Sequence, residues 1–214
     1  MFDVMEPGYA PHPVPYLEGW ELQREIHRQV ASGERPETLI LLEHEAVYTA
    51  GSRTEDHERP AASATPVIDV DRGGKITWHG PGQLVGYPIL RVEERGGIVA
   101  IVRRLERLLI DVLAERGVAG RQIEGRSGVW VDQADAPPAK IAAIGMRVAH
   151  DVSMHGFALN CTHSLAPYDA IIPCGIRDAG VTTVARETGR ALSPREAAAC
   201  VARAFADAFE RIPA

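Results

Sequence analysis

The stretch DRGGKITWHGPGQLVGY, residues 71–87, sets glycine turns between apolar, β-leaning runs. Gly73-Gly74 and Gly80-Pro81-Gly82 let the chain turn tightly and let a ligand come against main-chain N–H groups without interference from a Cβ. Two turns in a β-rich fold account for the glycines. They do not explain why Arg72, Lys75, Trp78, His79 and Gln83 crowd the same short segment. The stretch therefore reads as a binding loop bracketed by strands at 75–78 and 84–92.

Outward from that loop the chain alternates slowly between sheet and helix. A strand at 67–70 leads into it, and a polar loop at 51–66 precedes the strand. The run Thr38-Leu-Ile-Leu-Leu42 has the continuous apolar character of a buried central strand. A helix at 16–32 carries Tyr16, Trp20, Ile26 and Val30 on one face, closed by Gly33 and Pro36. Residues 1–14 are rich in proline and polar residues and read as a loosely ordered lead-in. Downstream, Ile98, Ile101, Val102, Leu105, Leu108, Leu109, Val112 and Leu113 follow the i, i+3, i+4 pattern of a helix over 98–116. Short strands follow at 121–123 and 128–131, then a loop at 132–139. Longer strands at 140–149 and 154–160 meet at His150-Asp151 like a hairpin, and residues 161–180 are turn-rich. The last helix opens on a capping box, with Ser193 as cap, Pro194 at the first helical position and Glu196 reaching back; Val201, Phe205 and Phe209 form its buried face. Strands grouped between helices, without regular alternation, predict one α+β domain with a mixed or mostly antiparallel sheet rather than a doubly wound one.

Composition narrows the class of function. The 214 residues are 45% hydrophobic and 24% charged, ordinary for a soluble domain. A net charge of −6 gives no global attraction to nucleic acid or an anionic membrane. No run reaches the ~20 apolar residues of a membrane-spanning helix. MFDVMEPGYAPHPVPY lacks the basic start and apolar core of a signal peptide, and three widely spaced cysteines form no disulfide framework. These features predict a cytoplasmic protein with free thiols.

Two residues draw attention as chemistry. Cys174 stands in Ile171-Ile-Pro-Cys-Gly-Ile176, where a rigid turn can hold a sulfur at a pocket edge. On its own the simpler reading is an inert buried thiol, as most free cysteines are. Cys200, in Ala-Ala-Ala-Cys-Val-Ala, and Cys161, at a strand end, read as packing residues. Lys140 is one of only two lysines in the chain, with Lys75. Lysine can lose its proton in a site that depresses its pKa, whereas arginine cannot; a solvated strand end is the alternative. A lysine beside a thiol raises the thiolate fraction and can carry a proton during acyl transfer. The eight histidines show no paired spacing of zinc ligands, so no metal or other cofactor is expected.

Taken in order, these pieces resemble lipoate–protein octanoyltransferases. The resemblance rests on Val47-Tyr-Thr-Ala-Gly-Ser-Arg53, Arg72-Gly-Gly-Lys-Ile-Thr-Trp-His79 with Gly-Pro-Gly-Gln83 and Tyr87, and Lys140-Ile-Ala-Ala-Ile-Gly145. It continues through His155-Gly-Phe157 with Leu159-Asn160, and ends on Pro173-Cys-Gly175. It spans about residues 38–185, and it implies the fold shared by biotin and lipoate protein ligases. It also implies Cys174 as the acyl-carrying nucleophile, Lys140 as its partner, and an acyl pocket walled by three segments. These are Arg72, Gly73, Gly74, Lys75, Ile76, Thr77, Trp78 and His79; Ala143, Ile144 and Gly145; and His155, Gly156 and Phe157. The implied donor is octanoyl-acyl carrier protein. The implied acceptors are lipoyl domains of 2-oxoacid dehydrogenases and the glycine cleavage H protein. Two rivals stay open at this point: an ATP-dependent lipoate or biotin ligase, and a non-catalytic module that binds acyl carriers or lipoyl domains.

Overall fold

The apolar runs of the sequence build one twisted sheet whose two faces are both covered. The structure is a computed structural model that describes residues 2–172 and 178–210. Its strands are β1 (Asp3–Met5), β2 (Thr38–Leu42), β3 (Val47–Ala50), β4 (Val67–Asp69), β5 (Thr77–His79), β6 (Gln83–Ile89), β7 (Gly120–Ile123), β8 (Arg126–Gln133), β9 (Ala136–Ala149), β10 (Val152–Asn160) and β11 (Gly180–Val181). Four α-helices accompany them: α1 (Tyr16–Ser32), α2 (Ile98–Ala114), the short α3 (Val184–Thr188) and α4 (Pro194–Glu210). The main sheet runs β1-β2-β6-β10-β9-β8-β7, with β11 paired to β9 at Ala139 and Lys140. A second sheet of order β4-β3-β5 lies apart from it in the pairing.

Pairing is antiparallel throughout the centre and parallel at β1-β2, β3-β4 and β9-β11, so the expected mixed α+β sheet is what forms. Alternation along the central strands divides the core. Leu84, Phe157 and Leu159 join α2 and α4 on one face. Val85, Tyr87, Ile89 and Ala158 meet Ile26 and Val30 of α1 on the other. Burial on both faces is why these strands read as continuous apolar runs rather than alternating ones. The hairpin turn falls where expected: His150 and Asp151 have φ of 49° and 58°, the two left-handed residues of a type I′ turn. The capping box of α4 also forms, with Glu196 N–H donating to Ser193 Oγ and Ser193 N–H donating to Glu196 Oε2.

Two expectations are corrected. The segment 1–14 is tied down rather than loosely ordered. β1 pairs with β2, Tyr9 is buried with its hydroxyl on Leu41 O, and Ala10 N–H donates to Glu43. Residues 132–139 are mostly strand, not loop: β8 and β9 run on to a tight turn at 134–135, with Gln133 opposite Ala136. Pro137 and Pro138 hid this, and they sit where the ladder shifts register, a place that tolerates missing donors. Strand ends elsewhere move by a few residues, most notably from 84–92 to Gln83–Ile89 and from 75–78 to Thr77–His79.

Gly156 shows how tightly β10 passes β6. A Cβ there would come 2.2 Å from Gly86 O and 2.5 Å from Pro88 Cδ, both rigid. Gly156→Ala is expected to destabilise the fold by about 3 kcal/mol or more through overpacking. Urea denaturation checks this, and an unchanged midpoint would contradict the packing described.

Candidate active site

A cavity of about 280 Å³ opens between the main sheet and the loop that carries residues 71–76, near the small end of ligand sites at ~300–1,000 Å³. The loop is held shut by its own backbone and one guanidinium. Gly73 N–H donates to Met146 O on β9, and Ser52 and Arg53 N–H groups donate to Arg72 O and Gly74 O. Arg72, itself buried, donates to Thr49 O at 2.7 Å, Thr49 Oγ1 at 2.9 Å and Lys75 O at 2.9 Å. It thus braces the loop against β3. The Lys75 ammonium turns outward onto Glu58 at 2.6 Å and Glu55 at 2.9 Å.

Of the residues expected to wall the site, Arg72, Gly73, Gly74, Lys75, Thr77, His79, Ala143, Ile144, Gly145, His155, Gly156 and Phe157 line the cavity. Ile76 and Trp78 do not. Strand alternation turns them the other way, into a cluster with Tyr48, Tyr168 and Ile171 that backs the wall. Cys174, with Pro173 and Gly175, lies outside the described residues. The chain resumes at Asp178, whose carboxylate takes two hydrogen bonds from Arg126, a lining residue, at 3.1 and 2.6 Å. Cys161 and Cys200 are both buried in the core, as their sequence contexts suggest, and burial pushes the Cys161 thiol up to about 12.

Lys140 reaches the cavity because of a β-bulge. From Val129 to Trp130 on β8, the partner on β9 changes from Ala142 to Lys140, leaving Ile141 as an extra residue. Plain alternation would put Lys140 on the face of Ala142, in the core. The extra residue moves it to the face of Ala143 and Gly145, where it lines the cavity. Gly128 permits this: it has φ +112°, and a Cβ there would stand 2.4 Å from Ala142 O. Its N–H donates to Glu106 Oε1 of α2 at 2.9 Å, a wholly buried carboxylate also held by Arg103 and Gln122. The Lys140 ammonium lies 4.6 Å from the centre of the Trp130 ring, a cation–π contact. Its carbonyl takes a hydrogen bond from Thr182 N–H at 3.0 Å.

A polar chain links this end of the site to the loop. Asn160 donates to Thr182 O and accepts from Gln83 Nε2, both at 3.0 Å. Gln83 Oε1 then faces His79 Nδ1 at 2.7 Å. An amide oxygen only accepts, so Nδ1 carries the proton and Nε2 keeps a lone pair. Burial, with His44 nearby, drives the His79 pKa down to about 3. His44 follows the same logic: Nδ1–H donates to Val14 O at 2.8 Å, and Nε2 accepts from Tyr87 Oη at 2.6 Å. Burial lowers its pKa to about 4.

His155 closes the loop side. It has φ +58°, rare for a non-glycine residue, and its N–H donates to Gln23 Oε1. Burial, then Arg72, Arg147 and Arg24, lowers its pKa to about 3. The ring is therefore neutral despite the Asp71 carboxylate 2.8 Å away, and Nε2–H donates to it. Asp71 in turn is bridged by Arg147. Tyr16, Arg53, Val85, Tyr87, Gly125, Arg126, Ser127 and Ala158 complete the lining. Sequence reasoning had placed Tyr16 on an apolar helix face; its phenol, a polar tip on that face, was the available signal.

Residues 15–206 match the family described as the lipoyl protein ligase A/B catalytic domain. The octanoyltransferase of Leifsonia xyli subsp. xyli is 59% identical over 205 residues, covering 95% of this chain and 91% of its own. That of Salinispora tropica is 58% identical over 189 residues, 88% of each chain. Among solved structures, lipoate-protein ligase A bound with ATP matches with a TM-score of 0.67 at 13% identity, over 97% of this chain and 85% of that one. A lipoate protein ligase from Thermoplasma acidophilum, solved as part of an archaeal lipoylation system, gives 0.66 at 13% identity over 97% and 83%. At such identities the two structures speak for the fold alone, which is the lipoate-ligase α+β fold. The whole-length identity to named enzymes settles the family: the chain belongs to the octanoyltransferases of the lipoyl protein ligase A/B catalytic-domain family.

Proposed function

We propose that the protein moves an octanoyl group from acyl carrier protein to a specific lysine of a lipoyl domain, through a thioester on Cys174. The observation that carries this reading is Lys140, a buried ammonium set by a bulge at the edge of a cavity floored by Ala143, Gly145, Gly156 and Ala158. Small residues leave room for an alkyl chain, and each methylene buried there is worth about 0.8 kcal/mol.

In the first half-reaction the Cys174 sulfur attacks the carrier's thioester carbonyl. The C–S bond to the carrier breaks, and the proton from Cys174 passes by way of Lys140 to the departing thiolate. In the second, the lysine amine of the lipoyl domain attacks the enzyme thioester. The amide forms, and the amine's proton returns through Lys140 to the Cys174 sulfur. Thioester exchange is close to isoenergetic, so the reaction draws on no nucleotide. Both protein substrates meet the same mouth in turn. The acceptors fitting this chemistry are lipoyl domains of 2-oxoacid dehydrogenases and the glycine cleavage H protein.

Intact-mass analysis tests the reading. Mixing the protein with octanoyl-acyl carrier protein, without ATP, is expected to add one octanoyl group, located on Cys174 by peptide mapping and absent in Cys174→Ser. Full transfer activity in Cys174→Ser would refute the covalent route, and a strict need for ATP would favour a ligase.

A further inference from the structure

The bulge that turns Lys140 toward the cavity also breaks the sheet beside it. On one flank of β9 the pairing with β8 shifts register around Ile141. On the other flank the pairing with β10 ends at Leu159 opposite Ala142, one residue short of the bulge. Asn160, the last residue of β10, stays in register only with Gln83 of β6. β11 takes up the vacated place, setting Val181 opposite Lys140. Lys140 therefore stands at a junction where β10 leaves β9 and β11 joins it.

The Asn160 side chain closes that junction. Its Nδ2 donates to Thr182 O at 3.0 Å and faces Lys140 O at a longer 3.5 Å. Its Oδ1 accepts from Gln83 Nε2 at 3.0 Å and from Tyr168 Oη at 3.4 Å. An amide has two protons and two lone pairs, and all four are engaged. The amide has one workable orientation. Two backbone carbonyls demand the NH2 on one side. On the other, Gln83 presents its own NH2, because its oxygen takes the His79 proton. Asn160 is buried and does not line the cavity, so it acts on the site through the backbone of Lys140.

We propose that Asn160 is a positioning residue for Lys140. Its amide takes over where the bulge ends the ladder, and so holds the ammonium at the cavity and over Trp130. This rests on the transfer reading, with Lys140 as the proton carrier. Without the amide, two buried carbonyls lose a donor and the junction relaxes around them. Displacement of a reacting group by about 1 Å costs on the order of 10²-fold in rate.

Lys75 and Lys140 are the only lysines in the chain, so ¹³C-lysine labelling gives two side-chain Cε–Hε NMR signals, assigned with Lys140→Ala. The Lys140 signal is expected upfield, shielded by the Trp130 ring whose centre is 4.6 Å from the ammonium. Lys75, held by Glu55 and Glu58, is the internal control. The variants are Asn160→Ala and Asn160→Leu, the second leaving no cavity. In both, the Lys140 signal is expected to lose its upfield displacement while the Lys75 signal stays. The kcat of octanoyl transfer is expected to fall about 10²-fold, with KM for the octanoyl carrier within about threefold of wild type. Added to Lys140→Ala, Asn160→Ala is expected to slow transfer no further.

A Lys140 signal that is undisplaced in the wild type or unmoved in the variants overturns this role. So do joint movement of both signals, a kcat within about threefold of wild type, losses that multiply with Lys140→Ala, or failure of both variants to fold. If the wild type transfers no octanoyl group, the transfer reading fails, and the two lysine signals alone decide whether Asn160 positions Lys140.

Discussion

Lys140→Ala is expected to lower the turnover of octanoyl transfer by about 10²- to 10⁴-fold, the usual contribution of a positioned proton carrier. In the proposed mechanism both half-reactions need a proton moved between sulfur and a second heteroatom, and Lys140 is the lysine whose side chain the bulge turns into the cavity. Lys75, the other lysine, is engaged with Glu55 and Glu58. Lys140→Arg is expected to fail nearly as badly, because a guanidinium keeps its proton. Steady-state assays with octanoyl-carrier donor decide the matter. Turnover within threefold of wild type in Lys140→Ala would remove lysine from the mechanism.

The second large effect is on stability against acid. His44, His79 and His155 are each held neutral in the folded protein, with pKa values lowered by burial to about 4, 3 and 3. An unfolded histidine titrates near 6.5. Above that pH both states are neutral and the rings impose no penalty. As the pH falls below it, the unfolded chain takes up protons that the folded one refuses, and stability drops by about 1.4 kcal/mol per pH unit for each ring. At pH 5 this is about 2 kcal/mol per ring, and three rings together approach the ~5–15 kcal/mol that keeps a domain folded. The urea midpoint is therefore expected to fall steeply between pH 6.5 and 5, ahead of the range where carboxylates titrate. A midpoint flat from pH 7 to 5 would show that the rings are charged or solvated in the fold.

Much of the architecture was readable because local signals agreed with the final packing. The α2 stripe, the α4 capping box, the Thr38–Leu42 strand and the His150-Asp151 turn each depend on neighbours in sequence, and each forms. What escaped depends on distant partners. β1 has three residues and no pattern of its own; it exists because β2 offers an edge. The prolines at 137–138 signal a loop until the register shift beside them is known.

The site divides in the same way. Lys140, the 72–79 loop and the 143–145 and 155–157 segments were legible as motifs, and all but Ile76 and Trp78 line one cavity. Those two were named with the rest because a motif names consecutive residues, while a strand shows only every second one to a ligand. Tyr16, Arg126 and Ser127 were not legible as site residues, since they come from α1 and from β8 on the opposite flank. No spacing rule connects them to residue 72. Val85 and Ala158 likewise enter only through cross-strand register.

The single extra residue at Ile141 has a consequence for how this chain tolerates change. Substitutions along β9 alter side chains one at a time, and most of the strand's neighbours would absorb them. Loss of Ile141 would be different in kind. Restored to plain alternation, the strand could keep its ladder, and the domain its fold, while the ammonium moved through the sheet to the core side. The placement of Lys140 in the cavity is thus recorded in the parity of a residue count as well as in residue identity. A related sequence could keep the lysine and the glycine-rich loop and still be inert for want of one amino acid.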